Sequence, residues 1–414
     1  MGQVALIAAL DTKGTEAAFV ARELERLGHV PLVVDVGVLG APAMGAAATR
    51  EHVAAAAGAT LDDLVAGADR GTAVARMAEG AEAVLTNWFA EGRVDGVIGI
   101  GGGAGTSMAT RAMRALPIGV PKVMVSTLAG GDVSGFVGQS DIVMVPSIVD
   151  ISGLNRISRE IFTRAAAMMA TLVEVRARAA AAPAGDDRPL LGASMFGNTT
   201  QCVETARARL DAAGYEVLVF HATGNGGRTM EGLVRSGYLA GVFDITTTEW
   251  ADQIVGGVMA AGEDRLEAAA RAGIPAVVAP GCVDMVNFWA PETVPAIFSD
   301  RRFYRHTPDV TLMRTTPEEN ARIGQVLAGK VNMSTGPVAM FLPLRGVSVV
   351  SAEGGPFHWP EADAALFDAI RDNLRSGIEL HELDCTINDP AFAEAASARL
   401  LEFLARARGT AGAR

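Results

Sequence analysis

The sequence has few cysteines and no long run of basic or of apolar residues. Its three cysteines, at 202, 282 and 385, form no CxxC pair, which excludes a zinc knuckle and fits a reducing compartment. The net charge is -12 with no cluster of Lys and Arg, so a nucleic-acid partner is not expected. No stretch of roughly 18 apolar residues is free of charge, and no basic residue precedes the opening apolar run 4–10. We therefore expect a soluble, cytoplasmic protein with no membrane partner.

Apolar sequence is abundant instead: it makes up 50% of the 414 residues, enough to bury two substantial cores. Short runs rich in Val and Ile alternate with segments of helical periodicity, which predicts parallel sheets with crossover helices. An Ala-rich helix around 160–182 runs into AAPAGDDRP, where proline, glycine and aspartate end regular structure. We therefore predict an amino-terminal domain at 1–183, a linker at 184–189 and a carboxyl-terminal domain at 190–414.

The two halves match each other without a gap over a helix, a glycine and a strand. The matching pairs are Leu24 with Leu210, Gly28 with Gly214, Leu32 with Leu218, Val33 with Val219, Gly40 with Gly226 and Met44 with Met230. This pattern predicts an internal duplication: an α/β fold of two tandem Rossmann-like parallel-sheet domains. Functional loops lie at the carboxyl ends of parallel strands, so we expect a cleft between the two domains. So Ala-rich a chain also favours a symmetric homo-oligomer.

The segment GIGGGAGTSMAT, residues 99–110, places five glycines behind an apolar strand. Glycine permits positive φ and brings backbone amides close to a ligand, and Thr106 and Ser107 would then open a helix whose amino terminus favours an anion. The spacing lacks the lysine of a P-loop, and the next strand lacks the acidic residue of a dinucleotide site. We nevertheless expect this loop to bind a phosphate group. The alternative is that the glycines only let the helix pack closely on the sheet.

Other polar groups are expected at the same rim. Asp11, Thr12 and Lys13 close the first strand, and the lysine would supply the charge that the glycine loop lacks. A solvated turn is the alternative for Asp11 and Thr12. The residues predicted to bind a cofactor are Asp11, Thr12, Lys13, Gly101, Gly102, Gly103, Gly105, Thr106, Ser126 and Thr127.

In the second half, FHATGNGGRTMEGL at 220–233 leads from a strand into a helix. Its backbone amides and the guanidinium of Arg228 would grip a carboxylate or a phosphate. His221 ends the strand, where it would act as an acid or base, or else hydrogen-bond a neighbouring carbonyl. The predicted substrate-binding residues are Gly224, Gly226, Gly227 and Thr229.

Three carboxylates follow later strands of this half. Asp244 and Glu249 lie in DITTTEW, and Asp284 follows Cys282 in APGCVDM. Carboxylates would raise the pKa of the Cys282 thiol, so we interpret it as inert. The three acids have the chemistry that magnesium requires, but no close-spaced ligand motif, and no metal site is predicted. The candidate catalytic residues are His221, Arg228, Asp244 and Glu249.

The chain resembles the Tm-one-like ATP-binding family over essentially its whole length. The resemblance is carried by LDTKGTE, GIGGGAGTSMAT, STLAGGDV, FHATGNGGRTMEGL, FDITTTEWAD and VVAPGCVDMVNFW. It implies two Rossmann-like domains and ATP as the ligand. We expect ATP as the cofactor, with or without magnesium. Plant relatives are linked to blocking an RNA virus, and some relatives carry an added barrel domain. We expect this chain to be of the stand-alone bacterial type, without that barrel, and we do not expect the antiviral role to transfer to it.

Three functions are open at this point. The first is an enzyme that acts on a small anionic metabolite, with ATP as substrate or regulator. The second is a nucleotide-binding module that acts through a protein partner without catalysis. The third is metal-independent acyl or carbon–carbon cleavage of a keto acid by His221 and Arg228, with ATP incidental.

Overall fold

The structure, a computed structural model, describes residues 1–67, 69–181 and 188–411. The chain divides into unit 1, Met1–Gly185, and unit 2, Asp186–Arg414. Of the linker predicted at 184–189, positions 184–187 lie outside the described residues. Each unit has a parallel sheet with helices on both faces, which confirms the predicted fold class of two Rossmann-like α/β domains.

Unit 1 alternates strands and helices as predicted. Its elements are β1 (Gln3–Ala8), α1 (Leu10–Arg26), β2 (Val30–Asp35), α2 (Arg50–Ala56), α3 (Leu61–Ala66), α4 (Arg70–Ala90), β3 (Gly96–Gly101), α5 (Gly103–Arg114), β4 (Lys122–Ser126), α6 (Ser134–Val137), β5 (Val143–Pro146) and α7 (Arg156–Ala181).

The sheet of unit 1 has the parallel order β2-β1-β3-β4-β5. Helices α1 and α7 cover one face, and α2, α4 and α5 cover the other. Strands β1 and β3 are neighbours, although the chain passes from β1 to β2 on the opposite side. The carboxyl ends of β1 and β3 therefore form a topological switch point, where open α/β sheets bind ligands.

Unit 2 adds strands to the same plan. Its elements are β6 (Leu190–Met195), α8 (Thr200–Ala212), β7 (Glu216–His221), α9 (Asn225–Arg235), β8 (Leu239–Thr246), α10 (Glu249–Val255), α11 (Glu267–Ala272), β9 (Ala276–Gly281), β10 (Met285–Phe288), β11 (Phe303–Thr307), β12 (Val310–Arg314), α12 (Pro317–Asn332), β13 (Val338–Pro343), α13 (Pro360–Asn373), β14 (Glu379–Leu383) and α14 (Pro390–Ala411).

The main sheet of unit 2 has the parallel order β14-β13-β9-β8-β6-β7. Its first five strands in chain order repeat the arrangement of unit 1, and β14 is added beyond them. Between β9 and β13 the chain inserts a separate antiparallel sheet, β10-β12-β11. Helices α8 and α14 cover one face of the main sheet, and α9 to α13 cover the other.

The internal match holds for the first helix and the strand that follows it. Gly28 and Gly214 both follow their helix with positive φ, 82° and 87°, which glycine adopts without strain. Leu24 and Leu210 are both fully buried one turn earlier. The match ends after the second strand, because Gly40 lies in a loop whereas Gly226 lies in helix α9.

Local sequence signals fix several helix ends. Thr316 and Glu319 form a reciprocal capping box at the start of α12, with Pro317 at its first position. The carboxylate of Asp69 caps α4 by accepting from the amides of Gly71 and Thr72 at 3.0 and 3.1 Å. No helix in the described part of the chain has the length and the hydropathy that a membrane span requires.

Candidate functional site

A cavity opens at the switch point of unit 1, beside the glycine loop. Strand β3 ends at Gly101 and helix α5 begins at Gly103, without a side-chain cap. The amides of the first turn of α5 therefore have no acceptor within their own helix. We call this opening of about 300 Å³ the glycine-loop cavity. Its lining consists of Ala9, Thr12, Lys13, Arg70, Ile100, Gly101, Gly102, Gly103, Ala104, Gly105 and Met108.

The glycines of this loop serve two different purposes. None of them has positive φ, so the expected need for that backbone region is wrong. A Cβ at Gly99 would lie 2.7 Å from Met124 Sδ, and one at Gly101 would lie 2.8 Å from the Cα of Gly105. These two glycines allow helix α5 to pack on β3.

At Gly102 and Gly103 the nearest atoms to an added Cβ are 3.6 and 3.9 Å away. The protein's own packing therefore leaves room for a side chain there. The absence of side chains at these two positions keeps the cavity open beside the start of α5.

The LDTKG segment supplies the opposite wall. Thr12 is exposed and Lys13 is half-buried, with a non-helical backbone (φ -126°, ψ 15°) inside α1. The Lys13 ammonium donates a hydrogen bond to the carbonyl of Ile151. Asp11 Oδ2 accepts from the amides of Val38 and Leu39 at 3.1 and 2.9 Å and so holds the loop after β2.

The hydroxyl residues predicted at this rim separate into buried and exposed groups. Thr106 and Ser126 are fully buried, and their hydroxyl oxygens lie 2.7 Å apart. Ser126 Oγ also accepts from the amide of Leu128 at 2.9 Å. Thr127 is exposed near Gly102. Thr106 and Ser126 thus hold α5 against β4, while Thr127 is exposed to solvent.

A second cavity of about 410 Å³ adjoins the first, and we call it the apolar chamber. It lies beyond the carboxyl end of β2, and most of its walls are aliphatic or methionine side chains. Those walls are Val36, Val38, Leu39, Leu64, Val65, Val74, Met77 and Met108. The two cavities share Ala9, Thr12, Arg70, Ala104 and Met108. The switch point of unit 1 therefore combines a polar end, built from glycines and cations, with an apolar end.

Sequence reasoning missed Arg70, since nothing in its local sequence links it to a loop some thirty residues later. It also missed Asp35, whose Oδ1 accepts from the amides of Leu10 and Gly37 at 3.0 and 2.9 Å. Burial raises the pKa of Asp35 despite these bonds. Asp35 ends β2, where dinucleotide sites hold the ribose. Here its Oδ1 already accepts two backbone bonds.

The start of α9 in unit 2 already holds a carboxylate from the protein itself. Glu249 Oε1 accepts from the amides of Gly224 and Gly227 at 2.8 and 3.1 Å. A Cβ at Gly227 would lie 2.3 Å from Glu249 Oε2, so this glycine admits the buried carboxylate. The position where a metabolite was expected is filled by Glu249.

The neighbouring predicted residues also have partners within the chain. The Arg228 guanidinium donates to the carbonyls of Ala260 and Ala261 at 2.6 and 3.1 Å. Thr229 Oγ1 donates to the carbonyl of Asn225 at 2.8 Å. His221 is exposed, and its ring lies 5.3 Å from that of Phe196. Both His221 and Arg228 are exposed, but the Arg228 guanidinium is held by the two carbonyls.

Asp244 and Glu249 belong to a buried ionic cluster centred on Arg265, which sequence reasoning missed. Arg265 Nη1 and Nη2 donate to the two oxygens of Asp244 at 2.5 and 2.6 Å, and Nε donates to Glu249 at 2.6 Å. Glu231 lies 3.3 Å from Nη1, and burial raises its pKa. Burial favours loss of the Arg265 proton, but Asp244 and Glu249 together raise its pKa well above the usual value. The cluster ties β8, α9 and α10 together.

Asp284 and Cys282 lie apart from this cluster, at the end of β9. Cys282 is fully buried with φ 61°, and burial raises the pKa of its thiol well above the usual range. Burial raises the pKa of Asp284 to about 6, and its Oδ2 accepts from Ser348 Oγ at 2.8 Å. In the described part of the chain no group of His, Cys, Asp and Glu is arranged to hold a metal ion.

The strand orders and the two adjoining cavities define a protein of two Rossmann-like domains with a ligand-sized opening in the first. Residues 2–178 match the N-terminal domain of the Uncharacterised protein family (UPF0261), and residues 188–404 match its C-terminal domain. The chain belongs to this family.

Among its relatives, the UPF0261 protein of Clostridium tetani is 46% identical over 97% of this chain and 99% of its own length. The UPF0261 protein of Rhizobium meliloti is 48% identical over 96% and 98%. The ToMV resistance protein Tm-1(GCR237) of Solanum lycopersicum is 42% identical over 82% of this chain but only 45% of its own length. Among solved structures, UDP-GlcNAc 2-epimerase from Methanocaldococcus jannaschii is 9% identical, covers 98% and 99% of the two chains and has a TM-score of 0.21. So low a score bears on no function.

Proposed function

We propose that unit 1 binds a nucleotide at the switch point of its sheet, and that this nucleotide is ATP. The observation that carries this proposal is the pair of adjoining cavities, one lined by glycine backbone and cations and the other by apolar side chains. A nucleotide has the same division between anionic phosphates and a less polar base. The resemblance to the Tm-one-like ATP-binding family supports the same ligand.

The residues have distinct roles in this proposal. The amides of Gly102, Gly103 and Gly105 bind phosphate oxygens, with the Lys13 ammonium and the hydroxyls of Thr12 and Thr127 around them. Gly101, Thr106, Ser126 and Asp11 hold the loops in place. The base lies in the apolar chamber. Magnesium, where present, is held by the phosphates and by water, which is its usual coordination.

The protein is proposed to be an enzyme for a small anionic metabolite, with ATP as substrate or regulator. The start of α9 is left out of the proposed site because Glu249 and the carbonyls of Ala260 and Ala261 already hold its amides and Arg228. His221, exposed at the end of β7, is the proposed acid or base.

A second candidate is a nucleotide-binding module without catalysis. The arrangement at α5 favours it, because the hydroxyls of Thr106 and Ser126 are buried against each other and therefore do not reach a magnesium ion as the hydroxyl of a P-loop does. Phosphate release from ATP with magnesium supports the enzyme. Tight binding without release supports the module.

Thermal unfolding of the whole chain with ATP, ADP, NAD and coenzyme A, with and without magnesium, tests the proposal. A ligand at a hundred times its dissociation constant stabilises the fold by about 2.7 kcal/mol. Gly103→Asp should abolish this shift, because its carboxylate enters the glycine-loop cavity and repels phosphate. Its Cβ has room, so the fold should survive.

Gly329→Asp, at an exposed position of α12 with nothing within 4 Å of an added Cβ, is the matched control and should keep the shift. Absence of a shift with every nucleotide would contradict the proposal. So would an equal shift in Gly103→Asp.

A further inference from the structure

Arg70 is the cationic side chain that lines both the glycine-loop cavity and the apolar chamber. It is the first residue of helix α4 and is exposed. Within the described ranges its guanidinium has no hydrogen-bond or ion-pair partner. Lys13 differs, since it lines the glycine-loop cavity alone and its ammonium is bound to a carbonyl.

The position of Arg70 is unfavourable for a cation that lacks an anionic ligand. The amino-terminal end of a helix carries partial positive charge, which repels a guanidinium in the first turn. The adjacent acid, Asp69, also lines the apolar chamber and offsets part of this repulsion, but its two carboxylate oxygens accept from the amides of Gly71 and Thr72 and form no ion pair with Arg70. An anion at the boundary of the two cavities would remove this cost, and a guanidinium binds phosphate oxygens in pairs.

We propose that Arg70 binds the phosphate next to the nucleoside, and that Lys13 and the glycine amides bind the phosphates beyond it. The inference rests on the proposed function and orders the ligand along the site. With the base in the apolar chamber, the first phosphate reaches the shared wall at Arg70, and the outer phosphates reach Gly102, Gly103 and Lys13. Arg70 therefore sets affinity for every nucleotide, and Lys13 adds affinity for di- and triphosphates.

Calorimetric titration of AMP, ADP and ATP into the full chain tests this order. Arg70→Ala should weaken AMP, ADP and ATP alike by about tenfold or more, because each loses the same charged contact. Its ratio of ATP to AMP affinity should therefore stay at the wild-type value. Lys13→Ala should lower that ratio by about tenfold.

Arg76→Ala is the matched control, since Arg76 lies on the same helix and pairs with Glu79 at 2.9 Å on the surface. It should leave all three affinities unchanged, and Arg70→Lys should restore part of the loss. Circular dichroism verifies that each variant is folded.

Wild-type affinity for ATP in Arg70→Ala would overturn the inference while leaving the proposed function intact. A loss for ATP with AMP unaffected would do the same, because it would place Arg70 at an outer phosphate. A wild-type chain that binds no nucleotide would overturn both.

Discussion

Two glycine-rich junctions between strand and helix differ in what occupies the helix start. At α5 in unit 1 no side chain caps the first turn, and a cavity of about 300 Å³ adjoins it. At α9 in unit 2 the carboxylate of Glu249 accepts from two of the amides. Glycines and a helix dipole therefore indicate a place for an anion, but they do not indicate whether the anion is a bound ligand or a side chain of the protein. A residue elsewhere in the chain decides it.

Of all the variants, Glu249→Ala should change stability the most. It would leave the start of α9 without a carboxylate, as the start of α5 is. It removes one carboxylate from Arg265 and leaves the amides of Gly224 and Gly227 buried without an acceptor. The free energy of unfolding should fall by about 3–5 kcal/mol, measured by urea denaturation.

The emptied start of α9 should then accept an added anion. Sulfate should raise the melting temperature of Glu249→Ala more than that of the wild-type protein, with sodium chloride at equal ionic strength as the control. Equal shifts in both proteins would show that Glu249 does not substitute for a ligand.

A smaller effect should separate the two kinds of glycine within the α5 junction. Gly101→Ala places a Cβ 2.8 Å from the Cα of Gly105 and should destabilise the fold by about 1–3 kcal/mol through overpacking. Gly102→Ala, with 3.6 Å of room, should change stability by less than about 0.5 kcal/mol. It should nevertheless weaken nucleotide binding. If Gly102→Ala destabilised the fold as much as Gly101→Ala, all these glycines would serve packing.

A smaller change in stability is expected from Asp252, which lies on α10 with Glu249 but has no cationic partner among the described residues. Burial raises its pKa to about 7, while Oδ1 accepts from the amides of Met259 and Asn287 at 3.1 Å. The unfolded carboxyl loses its proton near pH 4 and the folded one near pH 7, so the wild-type protein should lose stability as pH rises between these values.

Asp252→Asn should remove that fall in stability. Asn287 Nδ2 now donates to Asp252 Oδ2 at 2.7 Å, and a flipped Asn287 amide would present its oxygen to the new donor. Above pH 7 the variant should be more stable than the wild-type protein by about 1–2 kcal/mol. Parallel urea curves at pH 5 and pH 8 measure this, and an unchanged pH dependence would exclude Asp252 as its source.

The sequence predicted what depends on neighbouring residues. The alternation of strands and helices, the match of Gly28 with Gly214 between a helix and a strand, and the position of the glycine loop after a buried strand all follow from local pattern. Local pattern could not predict contacts between residues that are distant in the sequence. Glu249 lies more than twenty residues after the glycines whose amides donate hydrogen bonds to it. Arg70 lies some thirty residues before the glycine loop, with which it lines one cavity. Only the fold brings these groups together, so local pattern assigned a metabolite where Glu249 lies and omitted Arg70.

The order of the Arg265 cluster along the chain has a consequence for synthesis. Glu231, Asp244 and Glu249 leave the ribosome before the arginine that pairs with them, and the strand β9 beside Asp244 follows later still. Until residue 265 emerges, burying β8 would enclose carboxylates with no counterion, which is costly. We therefore expect β8 of the nascent second domain to stay solvated until Arg265 has been made. Unit 1, complete by then, can fold ahead of it.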